Sequence, residues 1–133
     1  MELVLVLPIF LMLIFSIVEF SMLMSARTRV VNAANSGARM MSMCGGSSVE
    51  VEAEVHERVT TLLGSALARN CHILVQPAKH AGEIGHVTVN VPMKNASPDL
   101  LWLVGFSLKD RSIDTDATMV MERSASRDSV QRF

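Results

Sequence analysis

The chain has no lysine or arginine before Arg27. Of its first 24 residues, 19 are apolar, and the exceptions are Glu2, Pro8, Ser16, Glu19 and Ser21. A secretory signal peptide carries a basic segment ahead of an apolar run of roughly 7–15 residues. Here the basic segment is missing and the run is longer, which argues against a cleaved signal peptide.

The rest of the chain lacks a surplus of charge of either sign. The 109 residues after Met24 carry 12 basic and 11 acidic side chains, since two of the 13 acidic residues, Glu2 and Glu19, precede them. Nucleic-acid-binding domains show a basic stripe or patch, so we expect no nucleic-acid partner. About 109 residues form one small domain, which excludes a large multidomain enzyme.

Motifs for catalysis and metal binding are also scarce, and we predict no enzyme activity, no metal and no cofactor. The histidines match no zinc-ligand spacing, although His72 and His86 could meet across a hairpin; the four are His56, His72, His80 and His86. Cys44 and Cys71 flank a predicted helix and would lie roughly 30 Å apart. That distance is too long for a disulfide.

What the chain does contain is an apolar run from Leu3 to Met24. As a helix, this run would span ~33 Å, which matches the ~30 Å hydrocarbon core of a bilayer. We therefore predict a membrane-spanning helix over residues 1–24. A carboxylate in the span costs on the order of 2.5–3.5 kcal/mol, so either Glu19 reaches water at the far interface, or Glu2 and Glu19 are paired or hydrogen-bonded when helices pack together.

Helical spacing of apolar residues continues past the span to about Met43, where the Gly45-Gly46 pair ends the helix. Ser47 and Glu50 form a capping box that starts a second helix. Alternation and turn residues then predict three further elements. They are a β-hairpin over residues 72–75 and 85–92, a short helix over 100–106 and a last strand over about 113–121. The short helix is predicted to begin at Ser97-Pro98-Asp99.

The predicted fold class is α+β, with a long N-terminal membrane-spanning helix that continues as the spine of a small domain. The domain adds the second helix, the hairpin, the short helix and the final strand. We assign residues 25–123 to this domain and residues 124–133 to a frayed polar tail.

Two segments resemble the TadE-like pseudopilins of tight-adherence (Flp) pilus systems. The family begins with an acidic residue, aliphatic residues and a proline, and a second glutamate lies near the end of the span. Here Glu2 to Pro8 corresponds to the first pattern and Ile17 to Phe20 to the second. The last strand, Ala117 to Glu122, resembles the family's end more loosely.

The resemblance implies a minor pilin-like component of a Tad/Flp pilus assembly system. It implies a single-pass protein of the bacterial inner membrane with an extracytoplasmic (periplasmic) C-terminal domain. Its partners would be the lipid bilayer, other pilin-like subunits, pilus assembly proteins and a prepilin peptidase. Glu2 would neutralise the N-terminal amine of a neighbouring subunit, and Glu19 would be a second acidic residue for helix packing.

Family members carry a short basic leader and a glycine before the acidic motif, whereas only Met1 precedes Glu2 here. Either that leader is encoded upstream of Met1, which is the explanation we favour, or this chain is not processed. By charge alone, Arg27 and Arg29 predict a cytoplasmic domain, whereas the basic residues of such a leader would hold the N-terminus in the cytoplasm and place the domain outside. The alternative function is a single-pass membrane protein whose small domain binds a ligand or partner outside any pilus.

Overall fold

A computed structural model of the protein describes residues 2–44, 47–78, 80–100, 102, 105 and 107–122. Helices α1 (Glu2–Met43) and α2 (Ser48–Leu67) come first, and strands β1 (His72–Gln76), β2 (Ile84–Pro92) and β3 (Ser112–Val120) follow. A 3-10 turn, Met93–Asn95, lies directly after β2. The α+β class and the position of the long first helix are confirmed.

Helix α1 is continuous over 42 residues and has two different surfaces along its length. Buried residues first appear at Glu19 and then recur at intervals that follow the helical repeat. This spacing places them on one side of the helix; they are Glu19, Ala26, Val30, Ala33, Ala34, Gly37, Ala38, Met41 and Ser42. The small domain therefore packs against α1 from Glu19 onward.

Helix α2 begins with the predicted capping box. The Glu50 N–H donates to Ser47 Oγ at 3.4 Å, and the Ser47 N–H donates to Glu50 Oε2 at 3.2 Å. Near its end the helix is kinked at Gly64, whose φ of 75° and ψ of 167° lie in a region open essentially to glycine alone. Leu62 is exposed, whereas Val59, Leu63 and Leu67 are buried against the rest of the domain.

The three strands form one antiparallel sheet in the order β1-β2-β3. Val75 of β1 and Ala117 of β3 both pair with Val87 of β2, and all three side chains are buried. The inner face of the sheet packs on α1, and α2 covers the same side. Beyond β3, the Glu122 N–H donates to the Ser42 carbonyl at 3.1 Å, which holds the end of the sheet against α1.

The layers approach each other closely at Gly37 on α1. A Cβ at this position would lie 2.8 Å from Val59 Cγ2 and 3.3 Å from Val55 Cγ1, both on α2. Val87 Cγ1 on β2 would lie at 3.6 Å. Small residues on this side of α1 thus serve the packing of its own domain.

Some predicted features fall where the structure is not described. The Gly45-Gly46 break and the tail 124–133 lie outside the described residues. Of the short helix predicted over 100–106, only residues 100, 102 and 105 are described. Leu100 and Trp102 lie in a 3-10 turn, and the Gly105 N–H donates to the Trp102 carbonyl at 3.0 Å.

Candidate functional site

The first part of α1 presents apolar side chains to the surroundings on all sides. Between residues 6 and 18 every side chain is exposed except Ser16, which is half-buried, and Val4 is exposed as well. Within the described residues, one helix is long and apolar enough to cross a membrane, over Val6–Met43, with a mean hydropathy of 2.4 in its most apolar part. Such a surface is costly in water and stable in lipid.

Glu19 lies at the junction of this apolar segment and the domain. Its side chain is 1% exposed, and the Ser97 hydroxyl donates to its Oε1 at 3.3 Å. A buried carboxylate needs such donors because its desolvation is otherwise uncompensated. The junction therefore fixes the domain to α1 through a polar contact between residues 78 positions apart.

The 3-10 turn after β2 brings Ser97 to this position. Pro92 ends the strand, and the N–H groups of Ala96 and Ser97 both donate to the Met93 carbonyl, at 2.9 and 3.3 Å. Ser97 was predicted to cap a helix, and this prediction is wrong, because its hydroxyl bonds to Glu19 and Asp99 has a non-helical φ of 54°. The Asp99 carboxylate instead accepts the Leu108 N–H at 3.2 Å and closes the loop.

The two acidic residues predicted for assembly are not brought together within the chain. Glu2 begins α1, and Glu19 lies 17 residues later, a distance of roughly 25 Å along a helix. Pairing between them would require two chains, and their role in assembly stays a prediction. Sequence reasoning missed Ser97 as the partner of Glu19, since no local pattern connects two positions so far apart.

The histidines predicted as a possible pair are separated on the sheet. His72 pairs with Asn90 and His86 pairs with Gln76, so they lie four ladder positions apart, roughly 13 Å. His86 Nδ1 instead lies 3.8 Å from Asp116 Oδ2. Among the described residues, no group of three or more histidine, cysteine, aspartate or glutamate side chains could hold a metal ion.

Both cysteines are free thiols and half-buried. Cys44 Sγ donates to Glu54 Oε2 at 3.4 Å. Burial, followed by the hydrogen bond to Glu54 and its negative charge, raises the pKa of the Cys44 thiol. Burial also raises the pKa of Cys71, and a hydrogen bond to its own backbone opposes this increase.

The outer face of the sheet is polar and is held by side-chain hydrogen bonds. Thr88 Oγ1 donates to Asp116 Oδ1 at 3.1 Å, and the Asn90 amide donates to Asp114 and, at 3.3 Å, to Ser112 Oγ. These bonds run between β2 and β3 and satisfy the two aspartates. The face is therefore a solvated surface of the domain, opposite the packed side.

Helix α1 is apolar on all sides in its first part, and its second part carries an antiparallel sheet and a second helix. This arrangement is consistent with a single-pass membrane protein of pilin-like fold. The model of the family described as TadE-like protein matches residues 1–39. The resemblance to TadE-like proteins is thus confirmed over those residues, and it associates the chain with Tad pilus systems. No curated protein and no solved structure matches the chain significantly.

The family match covers most of α1, including Glu2 and Glu19, and ends before α2 and the sheet. It therefore includes the exposed apolar segment and most of the part of α1 on which the domain packs. The looser resemblance at residues 117–122 lies outside the matched residues and stays a prediction.

Proposed function

We propose that the protein is a minor pilin-like subunit, a pseudopilin, of a Tad/Flp-type pilus assembly system. It is anchored in the bacterial inner membrane by α1, with the domain on the extracytoplasmic side. The observation that supports this function is the coincidence of the TadE-like match with the helix whose apolar surface is exposed. That surface is suited to contact both lipid and the helices of other subunits.

In this proposal the two glutamates have different tasks. Glu2 begins α1 at the end remote from the domain, where it can pair with the N-terminal amine of a neighbouring subunit. An ion pair in lipid stabilises assembly because each charge alone is costly there. Glu19 positions the domain on the helix through Ser97, so that neighbouring helices pack beside a domain of fixed orientation.

Association with the pilus machinery tests the proposal most directly. The tagged full chain should be recovered in sheared pili or with the membrane-bound assembly proteins, and deletion of its gene should reduce piliation. Glu2→Gln should abolish this association while the chain remains in the membrane fraction. Glu52→Gln is the matched control, because Glu52 is an exposed acidic residue on α2, and it should behave as the parent.

The alternative function is that of a membrane-anchored domain that binds a ligand or partner outside any pilus. It would be supported by normal piliation in the deletion strain together with absence of the chain from pili and assembly complexes. In that case the polar outer face of the sheet is the surface to examine. If a basic leader precedes the mature chain, a prepilin peptidase is a further partner, which N-terminal sequencing of the protein from its native cell would reveal.

A further inference from the structure

An open groove of about 480 Å³ lies at the place where α1 leaves its exposed apolar segment. Its walls are one side of α1, the last turns of α2 and the 3-10 turn after β2. We call it the junction groove, and the lining residues used below are Ser21, Met22, Ser25, Arg29 and Ala66. Its volume lies within the range of pockets that hold small ligands.

Three hydrogen-bond donors of α1 line the groove in one row. Ser21, Ser25 and Arg29 follow each other at four-residue spacing, which places them on the same side of the helix. Elsewhere in α1, hydroxyl groups bond to their own helix, since Ser16 donates to the Met12 carbonyl at 2.8 Å and Thr28 to the Met24 carbonyl at 3.0 Å.

The donors in the groove differ from these. Within the part of the chain that the structure describes, the hydroxyls of Ser21 and Ser25 and the guanidinium of Arg29 make no hydrogen bond or ion pair. A positive charge and two hydroxyls are thus available to a ligand. The chemistry of these donors fits a phosphodiester, which accepts several hydrogen bonds and carries a negative charge.

The groove also lies at a suitable depth. The exposed apolar side chains of α1 continue past Glu19 to Met24, so Ser21 lies in the last turn of the apolar run, and Ser25 and Arg29 follow Met24 by roughly 2 and 8 Å along the helix axis. The headgroup layer outside the hydrocarbon core is roughly 5–8 Å thick on each side. Side chains of a helix tilt toward its N-terminus, so the guanidinium of Arg29 extends back toward this layer.

A second part of the domain indicates the same depth. The loop that follows Ser97, the residue bonded to Glu19, carries the exposed side chains of Leu100 and Trp102. Trp102 is 65% exposed and is the only tryptophan. Tryptophan is enriched at membrane interfaces, where its apolar ring and polar N–H are both accommodated. An exposed tryptophan at this end of the domain therefore fits a position at the bilayer surface.

We propose that the junction groove binds the headgroup of an anionic phospholipid. The phosphodiester accepts hydrogen bonds from Arg29 and the two serines, and the acyl chains lie along the exposed apolar surface of α1 on the N-terminal side of Met22. This inference rests on the membrane anchorage in the proposed function and is independent of the role in a pilus. A bound lipid would fix the rotation of α1 and its domain relative to the membrane.

The test uses the full chain in nonionic detergent, with phosphatidylglycerol or phosphatidylcholine added, and native mass spectrometry to count retained lipids. The parent should retain phosphatidylglycerol in preference to phosphatidylcholine, and Arg29→Gln should bind phosphatidylglycerol roughly tenfold more weakly, because a charge-assisted hydrogen bond is lost. Arg27→Gln is the matched control, since Arg27 lies on the other side of α1 and does not line the groove.

A second pair of variants tests the shape of the groove without changing charge. Ala66→Phe fills the groove from the α2 side and should lower phosphatidylglycerol retention to a similar extent. Ser65→Phe adds the same ring at an exposed neighbouring position that does not line the groove, and should bind as the parent does. Circular dichroism of each variant confirms that the helices are intact.

Several outcomes would overturn the proposal. Equal losses in Arg27→Gln and Arg29→Gln would show general attraction to surface charge. Equal retention of the two lipids would exclude headgroup recognition, and displacement by inorganic phosphate would indicate a site for the free anion. If the chain resists alkaline carbonate extraction from membranes but shows no lipid preference, only the groove proposal is contradicted. If the chain is extracted, membrane anchorage is contradicted as well.

Discussion

Gly37 is the position at which one added methyl group has the clearest consequence. In a helix, Gly→Ala gains up to about 1 kcal/mol from backbone propensity. Here the new Cβ would lie 2.8 Å from Val59 Cγ2, and overpacking of a core costs typically about 1–3 kcal/mol. The steric cost exceeds the gain because Gly37 faces both α2 and β2, which cannot both move away from α1.

We therefore expect Gly37→Ala to lower the free energy of unfolding by roughly 1–2 kcal/mol. Thermal and denaturant unfolding of the full chain in detergent, followed by circular dichroism, measures the change. Asn35→Ala is the matched control on the exposed side of α1, and it should be neutral or slightly stabilising. If Gly37→Ala proves as stable as the parent, α1 and α2 are not in the close contact described.

The thiol of Cys44 provides a chemical probe of the same region. Burial and Glu54 raise its pKa, so at a given pH a smaller fraction is in the reactive thiolate form. Glu54→Gln removes the negative charge and should lower the pKa, although burial continues to raise it. The expected result is roughly two- to threefold faster alkylation by iodoacetamide below the pKa, the size of effect typical of an exposed charge pair.

The alkylation rate should be measured against pH in a Cys71→Ser background, so that one thiol reacts. The parent curve should rise at a higher pH than that of Glu54→Gln. Glu57→Gln removes another exposed charge from α2 and should leave the curve unchanged. Slower alkylation in Glu54→Gln would contradict the assigned contact between Cys44 and Glu54.

Among the helices and strands, most boundaries could be predicted because their causes are local. The capping box at Ser47 and Glu50, the helical spacing to Met43 and the alternation in β2 each lie within a few residues. The kink at Gly64 was not predicted, since Leu63 and Leu67 keep helical spacing across it and are both buried. One glycine changes the backbone without changing the apolar pattern.

The junction between α1 and the domain could be predicted only in part. Glu19 was recognised as costly within the apolar run, but its partner Ser97 lies 78 positions later. The motif Ser-Pro-Asp is typical of a helix start, and here tertiary contact with Glu19 takes the serine hydroxyl instead. The hydrogen bond to the buried Glu19 side chain is favoured over a helix cap. A buried acceptor that loses a hydrogen bond costs more free energy than a backbone N–H that bonds to water.

This contact leads to a prediction for the segments that it joins. Ser97→Ala removes a hydrogen bond to the buried Glu19 carboxylate and should destabilise the domain by about 1–3 kcal/mol. Amide hydrogen exchange should accelerate at residues 93–98 and in the adjoining turn of α1. Ser16→Ala is the control, because the Ser16 hydroxyl bonds only to its own helix at Met12. Similar exchange in both variants would mean that the junction is not held by Ser97.

At the scale of the whole molecule, α1 has two parts, an apolar segment that is exposed on all sides and a segment that packs on the domain. From Glu19 to Met43 the helix is the spine of the domain, and this part is roughly 36 Å long. Cys44 directly follows it, with its backbone N–H bonded to the Met40 carbonyl at 2.9 Å. Cys44 therefore lies at the end of the domain that is remote from the exposed apolar segment of α1, which makes it a reporter of the proposed topology.

The proposed topology predicts that a membrane-impermeant maleimide labels Cys44 in intact spheroplasts. The Cys71→Ser variant isolates this thiol, and mildly alkaline buffer compensates for the raised pKa of Cys44. Labelling should be as complete before lysis as after it, and a chain with both cysteines replaced by serine should remain unlabelled. Labelling that requires lysis would place the domain in the cytoplasm, as Arg27 and Arg29 predict by charge alone. That result would contradict the proposed extracytoplasmic role, because the domain would lie on the opposite side of the membrane from a surface pilus.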